Sequence, residues 1–416
     1  MKTGISSSLL AVVLTLLTAL PGAATDGYFA TGYGVKQQGA GGAGVALGGD
    51  SLAAATNPAG MFFAGDRFDL GVSFFQPVRG ATISGNLFPV NGDYDGSGRK
   101  NFLIPELGYN RRVRSRFSLC ISVFGNGGMN TTYFGGIPLF GSGRAGVNLE
   151  QLFVAPTLAF KLSKRNVFGV SLNLAYQRFQ LEGLQNFASA AYSIDPANVT
   201  NRGTDSAFGA GVRVGWIGAV SRSLSLGATV QSRTHMGKFN RYRGLFAEQG
   251  GFDIPANFAG GVALKIRSRA TLAFDAERIL YSQVKSIANS GTNQALLGSD
   301  NGPGFGWRDI TAYKLGGSYR VNSSLTLRAG YNHSGQPFAA TETFFNVLAP
   351  GVVKNHVTAG ATVRLQGGRE INFFYLHAFT GSVAGVNSIP AGAGGGNASL
   401  RMHQNSAGIS LGWNKE

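Results

Sequence analysis

Charge, cysteine and long apolar runs are all scarce in this 416-residue sequence. Only 13% of its residues are charged, about half the share usual in soluble domains, so much of the surface is hidden or faces something other than water. The single cysteine, Cys120, excludes an intramolecular disulfide framework and a cysteine-based zinc site. Beyond the N-terminal residues no run of about 18 apolar residues exists, which excludes a membrane span built as a helix. Glycine, by contrast, is abundant at 63 positions, without collagen's every-third-residue period. Hydrophobic residues make up 44% and aromatics 11%, enough to fold rather than stay disordered. The mean hydropathy is +0.04. A membrane protein built from strands, with apolar and polar residues interleaved, satisfies all of these constraints.

Residues 1–24 read as a secretory signal peptide. Lys2 supplies the positive start, residues 9–20 the apolar core, and Pro21-Gly22-Ala23-Ala24 a small-residue cleavage site, with cleavage expected after Ala24 and Ala23 as the near alternative. The core is too short to span a bilayer. Export through the Sec route leaves secretion, periplasm or outer membrane.

Downstream, apolar and polar residues alternate, as in Leu325-Leu327-Ala329-Tyr331 and Val357-Ala359-Ala361-Val363-Leu365. A period of two gives one apolar face per strand, and the other face is mostly Gly, Ser, Thr, Asn and Gln, as expected for a water-facing lumen. Fourteen such stretches, among them 67–77, 223–238, 269–285 and 401–413, are separated by six short turns alternating with seven long loops. That layout predicts an all-β fold, a 14-stranded antiparallel transmembrane β-barrel of the bacterial outer membrane, occupying residues 67–416. The net charge of +16 falls largely at the short turns, including Arg111, Arg112, Arg114, Arg116, Lys164, Arg165, Arg222, Lys265, Arg267, Arg269, Arg320, Arg364 and Arg369. Few stacking aromatics accompany them, so a solvated periplasmic rim is expected and nucleic acid is not a partner.

Residues 25–66 do not read as a strand. Gly39-Ala40-Gly41-Gly42-Ala43-Gly44 satisfies the dinucleotide fingerprint formally, yet no βαβ unit surrounds it. Small residues that let backbone pack tightly inside a lumen, followed by turn chemistry in Asn57-Pro58-Ala59-Gly60, predict an N-terminal plug. This segment, with Asp50-Ser51, resembles the hatch of the long-chain fatty acid outer-membrane transporters of the FadL/TodX type, a family that includes aromatic hydrocarbon importers. Further along, the runs 313–320, 325–331 and 356–360, with Pro337 and Leu348-Ala349-Pro350, are similar to the same family. The resemblance implies capture of hydrophobic substrates by extracellular loops, an internal pocket, hatch-gated passage and a side opening in the wall. One departure is the C-terminus, where Trp413 is followed by Asn414-Lys415-Glu416. The aromatic end that barrel assembly machinery reads is thereby displaced.

No metalloprotease, nucleophile-elbow or P-loop motif is present, so no enzyme activity, cofactor or metal is expected. The histidines, His235, His333, His356, His377 and His403, are scattered over different strands. The long loops carry an unusual apolar content, with Phe134, Leu139, Phe140, Phe246, Phe344 and Phe345 as candidate substrate contacts. Alternation turns Arg213, Lys314 and Arg328 into the lumen beside Asp275 and Glu277. These three cations either hold an ionic ladder together or receive a fatty-acid carboxylate. Gly41, Gly42, Asn57, Pro58 and Ala59 are the candidate gating residues of the plug. The expected function is passive outer-membrane transport of long-chain fatty acids or similar hydrophobic molecules. Aromatic hydrocarbon uptake is the alternative, and a general porin, an adhesin or a barrel lipase are rivals.

Overall fold

The computed structural model describes residues 26–414; the expected signal peptide lies outside the described residues. Sixteen strands are present. Fourteen form the wall: β1 (Arg67–Ser84), β3 (Phe102–Arg114), β4 (Phe117–Asn130), β5 (Gly146–Lys161), β6 (Asn166–Glu182), β7 (Asp205–Ala219), β8 (Leu224–Gln231), β10 (Asn257–Ile266), β11 (Ala270–Ile279), β12 (Ile310–Arg320), β13 (Leu325–Ser334), β14 (Asn355–Arg364), β15 (Arg369–Val383) and β16 (Asn397–Asn414). Short strands β2 (Gly92–Asp95) and β9 (His235–Met236) extend β1 and β7 within long loops. Each wall strand pairs antiparallel with its neighbours, and β16 pairs along the full length of β1, closing the ring. Closure is what the medium requires, because an open edge in lipid would leave a row of backbone groups without partners.

The strands run as long as the alternating pattern, and the main differences lie at the loop ends. The first strand continues to Ser84, about seven residues past its expected end at 77, and the last begins at Asn397 rather than 401. Register explains both: Arg67↔Asn414 through Ser84↔Asn397 is one uninterrupted ladder. Expected stretches 223–238 and 269–285 are shorter, ending at Gln231 and Ile279. After Gln231 the strand breaks and resumes on β7 as His235–Met236, whereas after Ile279 the chain passes into the short helices Tyr281–Gln283 and Lys285–Ala288.

Outward positions carry the apolar set, among them Leu70, Val72, Leu119, Val170, Leu172, Val214, Leu226, Leu327, Phe373 and Leu411. Aromatic pairs mark this face, with Phe68 and Trp413 5.5 Å apart and Phe160 and Phe168 6.1 Å apart. The cations expected at the short turns are there, exposed at the ends of the strands. Among the described residues no helix is long and apolar enough to cross a membrane.

The β1–β16 seam is fastened by charge. Arg67 contacts Asp69 at 2.5 Å and reaches Glu370 of β15 at 2.7 Å, and Glu370 also pairs with Lys36 of the N-terminal segment. All four side chains are largely buried. Removing one partner strands the others, typically at about 3–5 kcal/mol. Arg67→Met is therefore expected to lower the unfolding midpoint well below wild type in a heat-modifiability gel, whereas the same change at rim residue Arg222, exposed and outside the cluster, leaves it in place.

Candidate functional site

Three structures built by the sequence meet at the site: the N-terminal segment, a break in the wall, and a lid made by the long loops. Residues 26–66 form no strand; they contain one helical turn, Val35–Gln38, and two short 3-10 helices, Ala53–Ala55 and Pro58–Phe63. Irregular backbone at membrane depth needs partners from the protein. Inward carboxylates supply many of them. Glu106 of β3 accepts from Val35 N at 3.0 Å, Asp69 of β1 from Ser51 N at 2.9 Å, and Asp275 of β11 from Gly44 N at 2.6 Å and Val45 N at 2.9 Å.

Asn57 caps the helix Pro58–Phe63, its Oδ1 accepting from Ala59 N at 3.0 Å. Its Nδ2 donates to Val45 O at 2.7 Å, Trp216 O at 3.0 Å and Ala228 O at 3.3 Å, tying the segment to β7 and β8. Pro58 stands at the first helical position, where its missing N–H is not needed. Gly41 and Gly42 have φ of +65° and +81°, a region costly for other residues. Gly41 N donates to Thr358 Oγ1 at 2.8 Å. A Cβ on Gly39 would sit 3.0 Å from Gly360 Cα, so glycines of wall and segment are in close contact.

The lumen cations take part in this packing. Lys314 Nζ lies 2.7 Å from Glu277 and 3.4 Å from Asp26, an ionic triad joining β11, β12 and the start of the segment. Arg213 donates to Gln231 Oε1 at 2.6 Å and to the Thr56 carbonyl at 2.9 Å, with no carboxylate partner. Both side chains are buried. Arg328 stands apart, donating to Thr362 Oγ1 at 2.7 Å and bordering an open cavity on the side of the short turns. The three cations predicted as one set thus occupy three different environments.

The wall is interrupted between β3 and β4. Their ladder begins at Leu107↔Val123, although β3 continues to Phe102 on its β1 side and β4 to Asn130 on its β5 side. β4 also shifts register at Gly125–Gly127. The segment seals the inner face of this gap: Ala30 N donates to Asn126 O at 3.1 Å, Gly128 N to Tyr28 O at 3.0 Å, and Tyr33 Oη to Asn126 Oδ1 at 3.0 Å. Ile104 fills it from the β3 side, next to Gly125.

Above lies the lid. Phe140 packs on Phe344 at 5.1 Å and Phe345 at 6.3 Å, and Phe187 on Phe345 at 5.5 Å. A groove of about 450 Å³ opens among these loops, lined by Phe187, Tyr192, Leu296, Leu297, Phe344 and Phe345. A smaller apolar cavity of about 40 Å³ follows, lined by Phe179, Leu184, Phe246, Leu297, Phe305, Phe345 and Leu348. Leu297, Pro303 and Phe345 line both, so these three side chains stand between groove and cavity. From Phe246 an aromatic file continues through Phe252, 4.9 Å away, to Tyr28, 6.5 Å farther, at the head of the N-terminal segment. At the lid's exposed edge, Asn198 and Arg243 hold the Asp195 carboxyl below its ordinary range.

Of the predicted loop residues, Phe246, Phe344 and Phe345 line these spaces, while Leu139 and Phe140 are buried behind them. Phe134 does not join them and stands 64% exposed. Tyr192, Leu297, Phe305 and Tyr28 were not singled out; they sit in polar, glycine-rich stretches, and only the fold brings them together. The histidines serve as hydrogen-bonding groups where partners are defined, His356 on Asn332 at 3.0 Å and His377 on Asn405 at 2.9 Å.

A closed fourteen-stranded ring with a lipid-facing apolar belt, an occupied lumen and an apolar lid defines an outer-membrane transport β-barrel. The family model described as outer membrane protein transport protein (OMPP1/FadL/TodX) matches residues 23–415, and the chain belongs to that family. No curated protein matches it in sequence. Among solved structures, the Pseudomonas putida toluene transporter TodX superposes with a TM-score of 0.71 at 20% identity, covering 93% of this chain and 99% of that one. A Pseudomonas aeruginosa FadL homologue gives 0.69 at 17% identity, covering 93% and 98%. The Ralstonia pickettii toluene transporter TbuX gives 0.66 at 17%, covering 93% and 99%.

Asn57→Ala removes the ties to β7 and β8 and leaves three carbonyls to find other partners. Its expected effect is a loosened segment, read as a rise in single-channel ion conductance in planar bilayers over a near-silent wild type. Unchanged conductance would show that Asn57 does not anchor the segment.

Proposed function

We propose that the chain is a passive channel for hydrophobic small molecules, in which residues 26–66 act as the plug and the loops as the capture site. The shared wall of Leu297, Pro303 and Phe345 between groove and inner cavity carries this reading, because it places apolar spaces in series rather than one closed core. A molecule enters the groove, displaces these side chains and reaches the aromatic file above Tyr28. Burial of apolar surface drives each step, at about 0.8 kcal/mol per methylene removed from water. No chemical step, cofactor or energy source is part of this scheme.

The exit is the gap between β3 and β4. An apolar solute leaving there passes directly into the bilayer's hydrocarbon, and the segment's hydrogen bonds to Asn126 and Gly128 are the contacts that yield. Monoaromatic hydrocarbons suit the small inner cavity, and toluene is what the solved relatives TodX and TbuX are named for carrying. The same path accepts a fatty-acid chain but offers its head group little, since Lys314 is already paired and Arg213 is enclosed. Outer-membrane lipid and the barrel assembly machinery are the remaining proposed partners.

Two measurements test the scheme. Phe345→Ala is expected to weaken toluene binding about tenfold, or about 1.4 kcal/mol, in titrations of the detergent-solubilised protein. Ile104→Cys with Gly125→Cys, in a Cys120→Ser background, should close the gap by a disulfide and stop toluene uptake into cells until a reductant is added. Uptake that ignores the bridge would place the exit elsewhere.

A further inference from the structure

Beneath the N-terminal segment, on the side of the short turns, a cavity of about 320 Å³ opens between residues of the segment and strands β10 to β14. It plays no part in the path just described. Its floor is apolar and small: Ala40, Ala43, Leu47, Ala53 and Ala273. Around that floor stand four cations, Lys36, Lys265, Arg328 and Arg364, against one carboxylate, Asp50. Lys36 is committed to Glu370, and Asp50 accepts from Leu52 N at 3.1 Å. Lys265, Arg328 and Arg364 have no ion pair among the described residues. Lys265 and Arg364 are exposed at the short-turn ends of β10 and β14, Arg328 is half-buried on β13, and all three border one shared apolar patch.

We propose that this vestibule is a binding site for amphipathic carboxylates, small organic acids with an apolar body, on the periplasmic side of the segment. Lys265, Arg328 and Arg364 receive the carboxylate, and the alanine floor with Leu47 receives the body. The need follows from the exit proposed above, and the inference rests on that reading of the channel. A neutral hydrocarbon can leave through the wall into lipid, but an ionised carboxylate taken from water without partners is strongly disfavoured there. An acid that reaches this side therefore needs an aqueous station with positive charge, and the vestibule is one.

The test uses the full chain in detergent and two water-soluble probes of equal body, 4-phenylbutyrate and 4-phenylbutanol, followed by calorimetric titration. Phenylbutyrate is expected to bind at least tenfold more tightly than phenylbutanol. K265Q/R364Q should remove that preference while leaving phenylbutanol unchanged, and Arg364→Lys, which keeps the charge, should retain it. A heat-modifiability gel confirms that each variant is folded. Equal phenylbutyrate affinity in K265Q/R364Q and wild type would overturn the proposal, as would displacement of phenylbutyrate by sulfate at equal concentration, which would mean a generic ionic atmosphere. Failure of wild type to take up toluene would instead defeat the transport reading and leave the vestibule result standing.

Discussion

Everything in this barrel depends on one requirement: at membrane depth no backbone N–H or carbonyl can be left to water. The wall meets it with a closed antiparallel ring whose ladder is cut short between β3 and β4. The N-terminal segment has no ladder of its own, so inward side chains must meet it instead. Glu106, Asp69 and Asp275 accept its N–H groups, Asn57 and Arg213 donate to its carbonyls, and glycine on both surfaces brings backbone within reach. The carboxylates and amides of the lumen are thus largely spent on holding the segment, which is why so little charge is left over for a solute.

Much of this was legible before any coordinates. Strict alternation in segments such as 325–331 and 357–365 fixes which side chains face lipid, and alternating turn and loop lengths fix the strand count. Asn57-Pro58-Ala59-Gly60 reads as turn chemistry, and the structure begins the short helix Pro58–Phe63 there. The site was less legible for a definite reason. Inward direction follows from parity, but the partner of an inward charge depends on which strands lie across the lumen and on what fills it. Parity placed Arg213, Lys314 and Arg328 together, whereas Asp26 and Glu277 claim the second, Thr56 and Gln231 claim the first, and the third opens to a different cavity. Leu297 and Tyr192 were invisible similarly: each lies in an irregular loop, so no period reports which residue turns inward.

The gap in the wall shows how a local irregularity can be made useful. A register shift at Gly125–Gly127 in β4 would be a defect on a smooth cylinder. Here it frees Asn126 and Gly128 to bind the segment, so the same few backbone groups join wall and segment. Loops above contribute a second closure, where Leu297, Pro303 and Phe345 stand between groove and cavity. In the transport scheme proposed above, two barriers in series let a solute be admitted at one while the other remains shut.

The ionic cluster at the seam carries a consequence for how the molecule is made. Arg67 and Asp69 belong to the first strand, Glu370 to the strand beside the last, and Lys36 to the segment in the middle of the ring. Completing the cluster requires both that the cylinder be shut and that the segment already be in place. A cylinder shut without the segment would leave two buried acids and an arginine with their lysine missing.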